Sequence, residues 1–417
     1  MKKWLSLLLV SVLLLTLGGC TLGNSDDLVD TIQSYYSTHS RMTVATMPSY
    51  SYETSTATRY TVPSYTTRSR TVSTTRTTST ARTTSTTRTP KATSSHPKFT
   101  SLTALRDYMN AQKEADILKF SFEYTGKTLN VHTIAQMTNA CLINLNQTGT
   151  VYTVTVTEYP GDRIVDAYVS GNVSKLTADE RAAMNKAVQL VNQAKAKTSN
   201  TFELEVLLHD MLCERITYYD GNRNFSDPND IPRNLTVIGA LLDGKANCQG
   251  YTDAFYTLAS MAGFKVSRMS TYSPTDLHMV NTVYLNNEWY VMDVACDDDD
   301  NGEWDYRLFN AGVDMIREYT WDIEKEIHPI AKTSGVAYYY NYKGSTYTSM
   351  QTMANAIAAE WSQNDTTTFR TMLRNHTDGN AFNAILKSAL DQTGKRGRYQ
   401  YWFYSNGRDT FYTVKLQ

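Results

Sequence analysis

Cysteine is scarce in this sequence. Only five of its 417 residues are cysteines, and no two of them are spaced as C-x-x-C or as a paired metal site. So few cysteines exclude a disulfide framework, and their spacing excludes a zinc module built on paired cysteines. Cys141 and Cys213 fall on predicted apolar helix faces, where a cysteine usually packs as a small core residue.

Acidic residues are absent from one long stretch. None occurs between Glu53 and Asp107, whereas seven arginines lie in the same stretch, six of them between residues 59 and 88. The net charge of −1 hides this asymmetry. Most other residues there are Ser and Thr, and so little apolar surface cannot offset the entropy cost of ordering the chain. We therefore predict a disordered, basic tether over residues 21–97. Its charge suits an anionic membrane or a cell-wall polymer.

The N-terminal residues have the pattern of a secretion signal. Two lysines precede an apolar run from Trp4 to Leu17, which is too short for a comfortable membrane span and ends in small residues before Cys20. The residues Leu-Gly-Gly-Cys resemble a bacterial lipobox. The resemblance implies that residues 1–20 are a lipoprotein signal peptide and that Cys20 carries the lipid. The alternative is an ordinary signal peptide with a chance cysteine; either one argues against nucleic acid as the partner of the tether.

One stretch in the second half carries the residues of thiol chemistry. The pattern from Cys248 to Phe264 predicts a helix that stops at Gly263. Cys248 would then lie at the helix N-terminus, where free N–H groups and the helix dipole stabilise a thiolate.

Two strands, His278 to Leu285 and Glu288 to Val294, are predicted next, joined by an Asn-Asn pair that tolerates positive φ. If Leu285 pairs with Glu288, then Asp293 lies opposite Val280 and Ala295 opposite His278. Side chains alternate along a strand, so His278 and Asp293 would share a face as diagonal neighbours within hydrogen-bonding reach. A carboxylate there would orient the imidazole while its other nitrogen faces the thiol. The alternative is a buried cysteine, a surface histidine and a hairpin aspartate with no common site.

The stretch resembles the transglutaminase-like superfamily, whose core has the papain-like cysteine-protease architecture. The resemblance lies in Cys248–Tyr251 (CQGY), His278–Asn281 (HMVN) and Trp289–Val294 (WYVMDV). It implies Cys248 as nucleophile, His278 as base and Asp293 as its orienting partner. Two positions depart from the family pattern: Val280 stands where Trp is frequent, and Ala295-Cys296 where Thr-Trp is frequent.

The remaining chain contains an apparent duplication. Phe99–Leu105 matches Tyr347–Met353, and the sequence NQTG at 146–149 echoes DQTG at 391–394, each before a predicted strand. Each copy reads as a capped helix, a middle segment, a second helix near 134–145 or 380–391, and a terminal strand pair. We therefore predict an α+β fold in which a helix carrying the cysteine packs on an antiparallel sheet, flanked by two repeated small α/β modules. The predicted domains are the modules at 98–172 and 334–417 and the transglutaminase-like domain at 173–333.

An acidic run after the hairpin raises the question of calcium. Asp297, Asp299 and Asn301 have the spacing of the first half of a calcium loop, and Gly302 follows at the turn. The closing bidentate glutamate is absent because Leu308 occupies its position. A solvated loop is the better interpretation, and we predict no cofactor.

Together these patterns predict a lipid-anchored enzyme on the extracytoplasmic face of a bacterial membrane. Its triad would cleave or transfer amide bonds of proteins or peptides through a thioester. Hydrolysis and transfer to an amine use the same residues, so both stay open. The contrasting hypothesis is a catalytically inactive binding or adhesion lipoprotein that keeps the fold.

Overall fold

The computed structural model describes residues 43–47, 96–221, 231–272, 277–299, 303–316, 329–364, 368–376, 381–395 and 397–417. The predicted signal peptide, Cys20 and most of the predicted tether lie outside these residues. Within the described part of the chain, no helix combines the length and the apolar character needed to cross a membrane.

The chain divides into two compact units. Of the described residues, those from 96 to 345 belong to one unit, and residues 43–47 belong with those from 346 to 417 to the other. The predicted domain boundaries at 172/173 and 333/334 both fall inside the first unit.

Strand β1, Thr43–Met47, lies within the predicted tether and pairs antiparallel with residues 397–401. The prediction of disorder is wrong for these five residues, because backbone pairing along a sheet edge orders a segment with little apolar surface.

The first unit begins with a small α/β layer. Its elements are β2 (Lys98–Phe99), α1 (Leu102–Glu114), β3 (Lys119–Tyr124), α2 (Val131–Thr138), β4 (Leu142–Thr148) and β5 (Val151–Thr157). The sheet order is β2-β3-β5-β4, with β2 and β3 parallel and the other pairs antiparallel. Phe122 and Val154 are fully buried in its core.

The second unit has the same sequence of elements. They are β14 (Thr346–Tyr347), α9 (Met350–Gln363), β15 (Thr368–Leu373), α10 (Phe382–Asp391), β16 (Gly397–Ser405) and β17 (Thr410–Leu416). Their sheet order, β14-β15-β17-β16, and the parallel first pair match those of the first layer, with β1 added at the β16 edge. A duplicated module would have this topology; the duplication itself stays a prediction.

Two details of that prediction are wrong. The helix predicted near 134–145 ends at Thr138, because Asn139 takes a left-handed conformation (φ +52°) and the next residues enter β4. Residues 146–149 lie in β4 and its hairpin turn, whereas residues 391–394 are the last residue of α10 and the turn after it. The NQTG and DQTG segments are therefore not structurally equivalent.

The rest of the first unit, from Pro160 to Tyr342, is built around one helix and one sheet. Its helices are α3 (Pro160–Ser170), α4 (Ala178–Lys197), α5 (Thr201–Cys213), α6 (Cys248–Ala262), α7 (Val294–Asp297) and α8 (Tyr339–Tyr342). Its strands are β6 (Thr217–Tyr218), β7 (Lys245–Ala246), β8 (Val266–Tyr272), β9 (Leu277–Leu285), β10 (Glu288–Met292), β11 (Asp298–Asp299), β12 (Glu303–Trp304) and β13 (Phe309–Ala311). Short 3₁₀ and π turns lie at Arg233–Leu235 and Gly239–Asp243.

Helix α6 is the central element of this region. It packs against β8 and β9 and against α3, α4 and α5. Its apolar residues Ala254, Phe255 and Leu258 are fully buried, as the sequence pattern predicts. Gly263 ends the helix in a left-handed conformation (φ +104°).

The four-stranded sheet β13-β10-β9-β8 contains the predicted hairpin. Leu285 pairs with Glu288, and Asn286 and Asn287 both have positive φ, so the predicted register is confirmed. The predicted end of the second strand, Val294, is wrong. Strand β10 stops at Met292, and residues 294–297 form the short helix α7. Ala295, predicted to lie opposite His278 in the strand, is helical instead.

Candidate active site

Cys248 is the first residue of α6, as predicted. The side-chain oxygen of Asn247 caps the helix by accepting hydrogen bonds from the N–H groups of Gln249 (3.0 Å) and Gly250 (3.3 Å). Cys248 is 4% exposed. Its own N–H belongs to the first turn, where no intrahelical acceptor exists, so it can face a developing negative charge beside the thiol.

A close backbone contact fixes this turn. The Asn247 N–H donates to the carbonyl of Asn234 at 3.0 Å. A Cβ atom on Gly250 would lie 2.5 Å from that same carbonyl oxygen, which no larger residue could accommodate without moving the backbone. Glycine at position 250 of the CQGY segment therefore lets the nucleophile-bearing turn approach the turn at Arg233–Leu235.

His278 and Asp293 form the predicted pair. His278 lies on β9 and Asp293 directly follows β10, and the distance from His278 Nε2 to Asp293 Oδ2 is 2.7 Å. The second carboxylate oxygen, Oδ1, accepts the N–H of Cys296 at 3.2 Å, so Asp293 also caps α7. Both oxygens are occupied and the residue is 1% exposed. The carboxylate is thus held in one orientation toward the imidazole.

The same histidine contacts Cys248. The Cys248 thiol interacts with the His278 side chain and is one of the groups that raise the pKa of its imidazole. Because Nε2 is bound to Asp293, Nδ1 is the nitrogen available to the thiol. Burial alone lowers the pKa of the imidazole, but the Asp293 carboxylate and the neighbouring thiols raise it, and the resulting pKa lies well above the ordinary value. The structure therefore brings Cys248, His278 and Asp293 into one site.

A second thiol, that of Cys296, flanks the imidazole; the sequence singles it out only as a departure from the family pattern. Cys296 Sγ lies 3.7 Å from His278 Nε2, because α7 turns back toward β9 after Asp293. Burial raises the pKa of this thiol to about 11. A signal was present in the sequence: Cys296 comes three residues after the predicted orienting aspartate.

A buried histidine supports the end of α7. His209 on α5 is fully buried. Its Nδ1 lies 3.0 Å from Asp210 Oδ1, and its Nε2 lies 3.4 Å from Asp297 Oδ2. The Leu308 N–H donates to the other oxygen of Asp297 at 3.1 Å. These contacts anchor the short helix whose first turn carries Cys296.

Two of the three residues with calcium-ligand spacing, Asp297 and Asp299, lie in the described part of the chain. Asp297 directs its carboxylate into the core toward His209, and burial raises its pKa well above the ordinary value. Asp299 lies in β11, and Asn301 falls outside the described residues.

Helix α3 also reaches the site from the preceding segment. The Gln249 amide donates to the Tyr159 hydroxyl at 2.9 Å, and Tyr159 is the N-terminal cap residue of α3. The side chain next to the nucleophile in sequence is therefore tied to α3. No sequence pattern indicated this contact, because the two residues are 90 positions apart.

Residues 188–294 match the family model of the transglutaminase-like superfamily. The match contains Cys248, His278 and Asp293, and this part of the α+β fold is a transglutaminase-like core. No curated protein sequence matches the chain.

Two solved structures are similar in fold over part of the chain. One, described as a TGase, is 17% identical over 43% of this chain and 51% of its own, with a TM-score of 0.25. The other is the periplasmic domain of TgpA from Pseudomonas aeruginosa, bound to ethylmercury. It is 12% identical over 34% of this chain and 55% of its own, with a TM-score of 0.21. The chain thus spans about half the length of each.

Proposed function

We propose that this protein is a cysteine enzyme acting on amide bonds of proteins or peptides. One observation supports this function above the others: a buried Asp293–His278 pair contacts a thiol at a helix N-terminus. Nucleophile, base and orienting group then have the relation that covalent catalysis requires.

The chemistry follows from this order of contacts. His278 takes the thiol proton as Cys248 Sγ attacks the amide carbonyl carbon. The tetrahedral oxyanion faces the Cys248 N–H, and His278 returns the proton to the departing amine. The resulting thioester is attacked by water or by a second amine, whose proton passes to His278. The thiolate leaves and recovers that proton, and an acid or a new amide is released.

Alkylation of the full chain by iodoacetamide at neutral pH tests the thiol. Cys248 is expected to react fastest, because His278 accepts its proton. Burial raises the pKa of Cys141 and Cys213 to about 12 each, and these two thiols serve as internal controls. His278→Ala is expected to slow alkylation of Cys248 by about tenfold or more.

Peptide mapping by mass spectrometry gives the rate at each cysteine. Equal rates at all the native cysteines, or an unchanged Cys248 rate in His278→Ala, would contradict the proposed enzyme. They would favour the alternative, a binding or adhesion protein that keeps the fold without catalysis.

We further propose that Cys20 anchors the protein in the bacterial cell membrane on the extracytoplasmic side. The support is the position of Cys20 at the end of the apolar run, followed by a basic segment suited to an anionic cell-wall polymer. Metabolic labelling with a fatty-acid analogue is expected to tag the wild-type protein, and Cys20→Ala is expected to lose the tag. Unchanged labelling of Cys20→Ala would rule out the anchor.

A further inference from the structure

Three different metal-binding groups converge beside the imidazole. One ligand atom from each of His278, Asp293 and Cys296 lies within 4.8 Å of the ligand atoms of the other two. Imidazole, carboxylate and thiolate are the three ligand types that zinc takes from proteins. The proposed amide chemistry uses the first two groups and gives no role to Cys296.

The spacing of these atoms suits a tetrahedral ion. Zinc bonds of about 2.0–2.1 Å to nitrogen and about 2.3 Å to sulfur place the two ligand atoms about 3.6 Å apart. The Nε2–Sγ distance is 3.7 Å. The Nε2–Oδ2 distance of 2.7 Å would have to lengthen to about 3.4 Å, a shift of less than about 1 Å in one carboxylate oxygen.

Charge and orientation favour the same ion. A carboxylate and a thiolate together neutralise Zn²⁺, which is important at a site where Asp293 is 1% exposed. The Asp293 carboxylate is already oriented by the Cys296 N–H, and Arg307 donates to the Cys296 carbonyl. Such second hydrogen bonds hold metal ligands in place. Calcium and magnesium prefer oxygen ligands, and a thiolate disfavours both.

We propose that His278, Asp293 and Cys296 bind a zinc ion reversibly. The ion takes the space between Nε2 and Oδ2, and the protons of Nε2 and of the Cys296 thiol leave to solvent. Three protein ligands leave the fourth position of the ion to water. A bound ion breaks the His278–Asp293 hydrogen bond, so zinc switches off the thiol chemistry; this last step rests on the proposed function.

Zinc binding to the reduced, full-length protein tests the site without any turnover. Competition with a chromophoric chelator is expected to show one zinc ion per chain, and Cys296→Ser is expected to weaken it by about 100-fold or more, since even second-shell losses cost about 10–100-fold. Cys213→Ser is the matched control, because its thiol is also buried, 3.8 Å from His209 Nδ1. This variant is expected to bind zinc like the wild type.

Cobalt provides a readout that needs no variant. Co²⁺ added to the wild-type protein is expected to give a thiolate-to-metal charge-transfer band and the visible bands of a tetrahedral site. Absence of the thiolate band, zinc affinity unchanged in Cys296→Ser, or affinity lost in Cys213→Ser would each overturn the proposal.

The experiment separates this proposal from the proposed enzyme. Cys248→Ala removes the nucleophile but none of the three ligands, and it is expected to retain zinc. Zinc binding by a protein whose Cys248 is unreactive would contradict the enzyme and support the site. Rapid, His278-dependent alkylation of Cys248 in a protein that binds no zinc would support the enzyme and contradict the site.

Discussion

Asp293→Asn is expected to lower turnover by about 10³–10⁴-fold while the fold is retained. The reason lies in the backbone N–H of Cys296, which hydrogen-bonds the Asp293 carboxylate. The Cys296 N–H needs an acceptor at the Oδ1 position, so the asparagine amide must place its oxygen there. Its NH₂ group then faces His278 Nε2 and donates to it, which moves the imidazole proton to Nδ1. A protonated Nδ1 on a neutral ring cannot accept the Cys248 proton.

The measurement is turnover of any amide substrate that Cys248→Ala fails to process, together with thermal unfolding of each variant. Asn281→Ala is the comparison within the same hairpin. Its amide donates to the carbonyls of Thr252 and Ser267 and lies away from the imidazole. That variant is expected to lose stability and to keep its rate per folded molecule. Full activity of Asp293→Asn would show that the triad is wrong.

The part of the site that the sequence predicted depends on local rules. Two asparagines between two strands select a two-residue turn, and the turn fixes the register that places His278 near Asp293. The cysteine at a helix start follows from helix periodicity and from Gly263 at the other end. These signals lie within a few residues of what they determine.

The residues after Met292 show where local rules are not sufficient to predict the structure. The sequence Val-Ala-Cys continues a strand pattern well, yet it forms α7. Asp293 caps the helix, and Asp297 is held by His209 and by the Leu308 N–H. These partners are distant in sequence, so the choice between strand and helix was made by tertiary contacts. The same turn moves Cys296 beside His278, and that is why its role was missed.

The N-terminal layer shows a second kind of error. The segment after Asn139 has a mixture of apolar and polar residues that fits a helix or a strand over a short range. The segment forms a strand because β4 pairs with β5 over seven positions. Helix capping depends on nearer partners: Thr177 and Glu180, three residues apart, form the reciprocal capping box that opens α4.

Arg268→Met is expected to destabilise the protein by about 3–5 kcal/mol, because it leaves buried carboxylates without their cation. Arg268 on β8 is 1% exposed and donates to Asp162 of α3 and Asp253 of α6. Its guanidinium also lies over the rings of Tyr256 (3.7 Å) and Tyr159 (4.6 Å). Chemical denaturation gives the free energy of unfolding. Adding Asp162→Asn and Asp253→Asn to this variant is expected to recover much of the loss, because the unpaired charges are then gone.

Arg233→Met is the matched control for burial. Arg233 also pairs with two carboxylates, Asp243 and Asp179, but its side chain is 43% exposed. Water and salt screen such pairs, so the expected loss is at most about 1 kcal/mol. Two arginines with equal numbers of partners are thus expected to differ several-fold in effect, and burial is the variable that separates them. Equal losses would show that desolvated charge is not what makes Arg268 important.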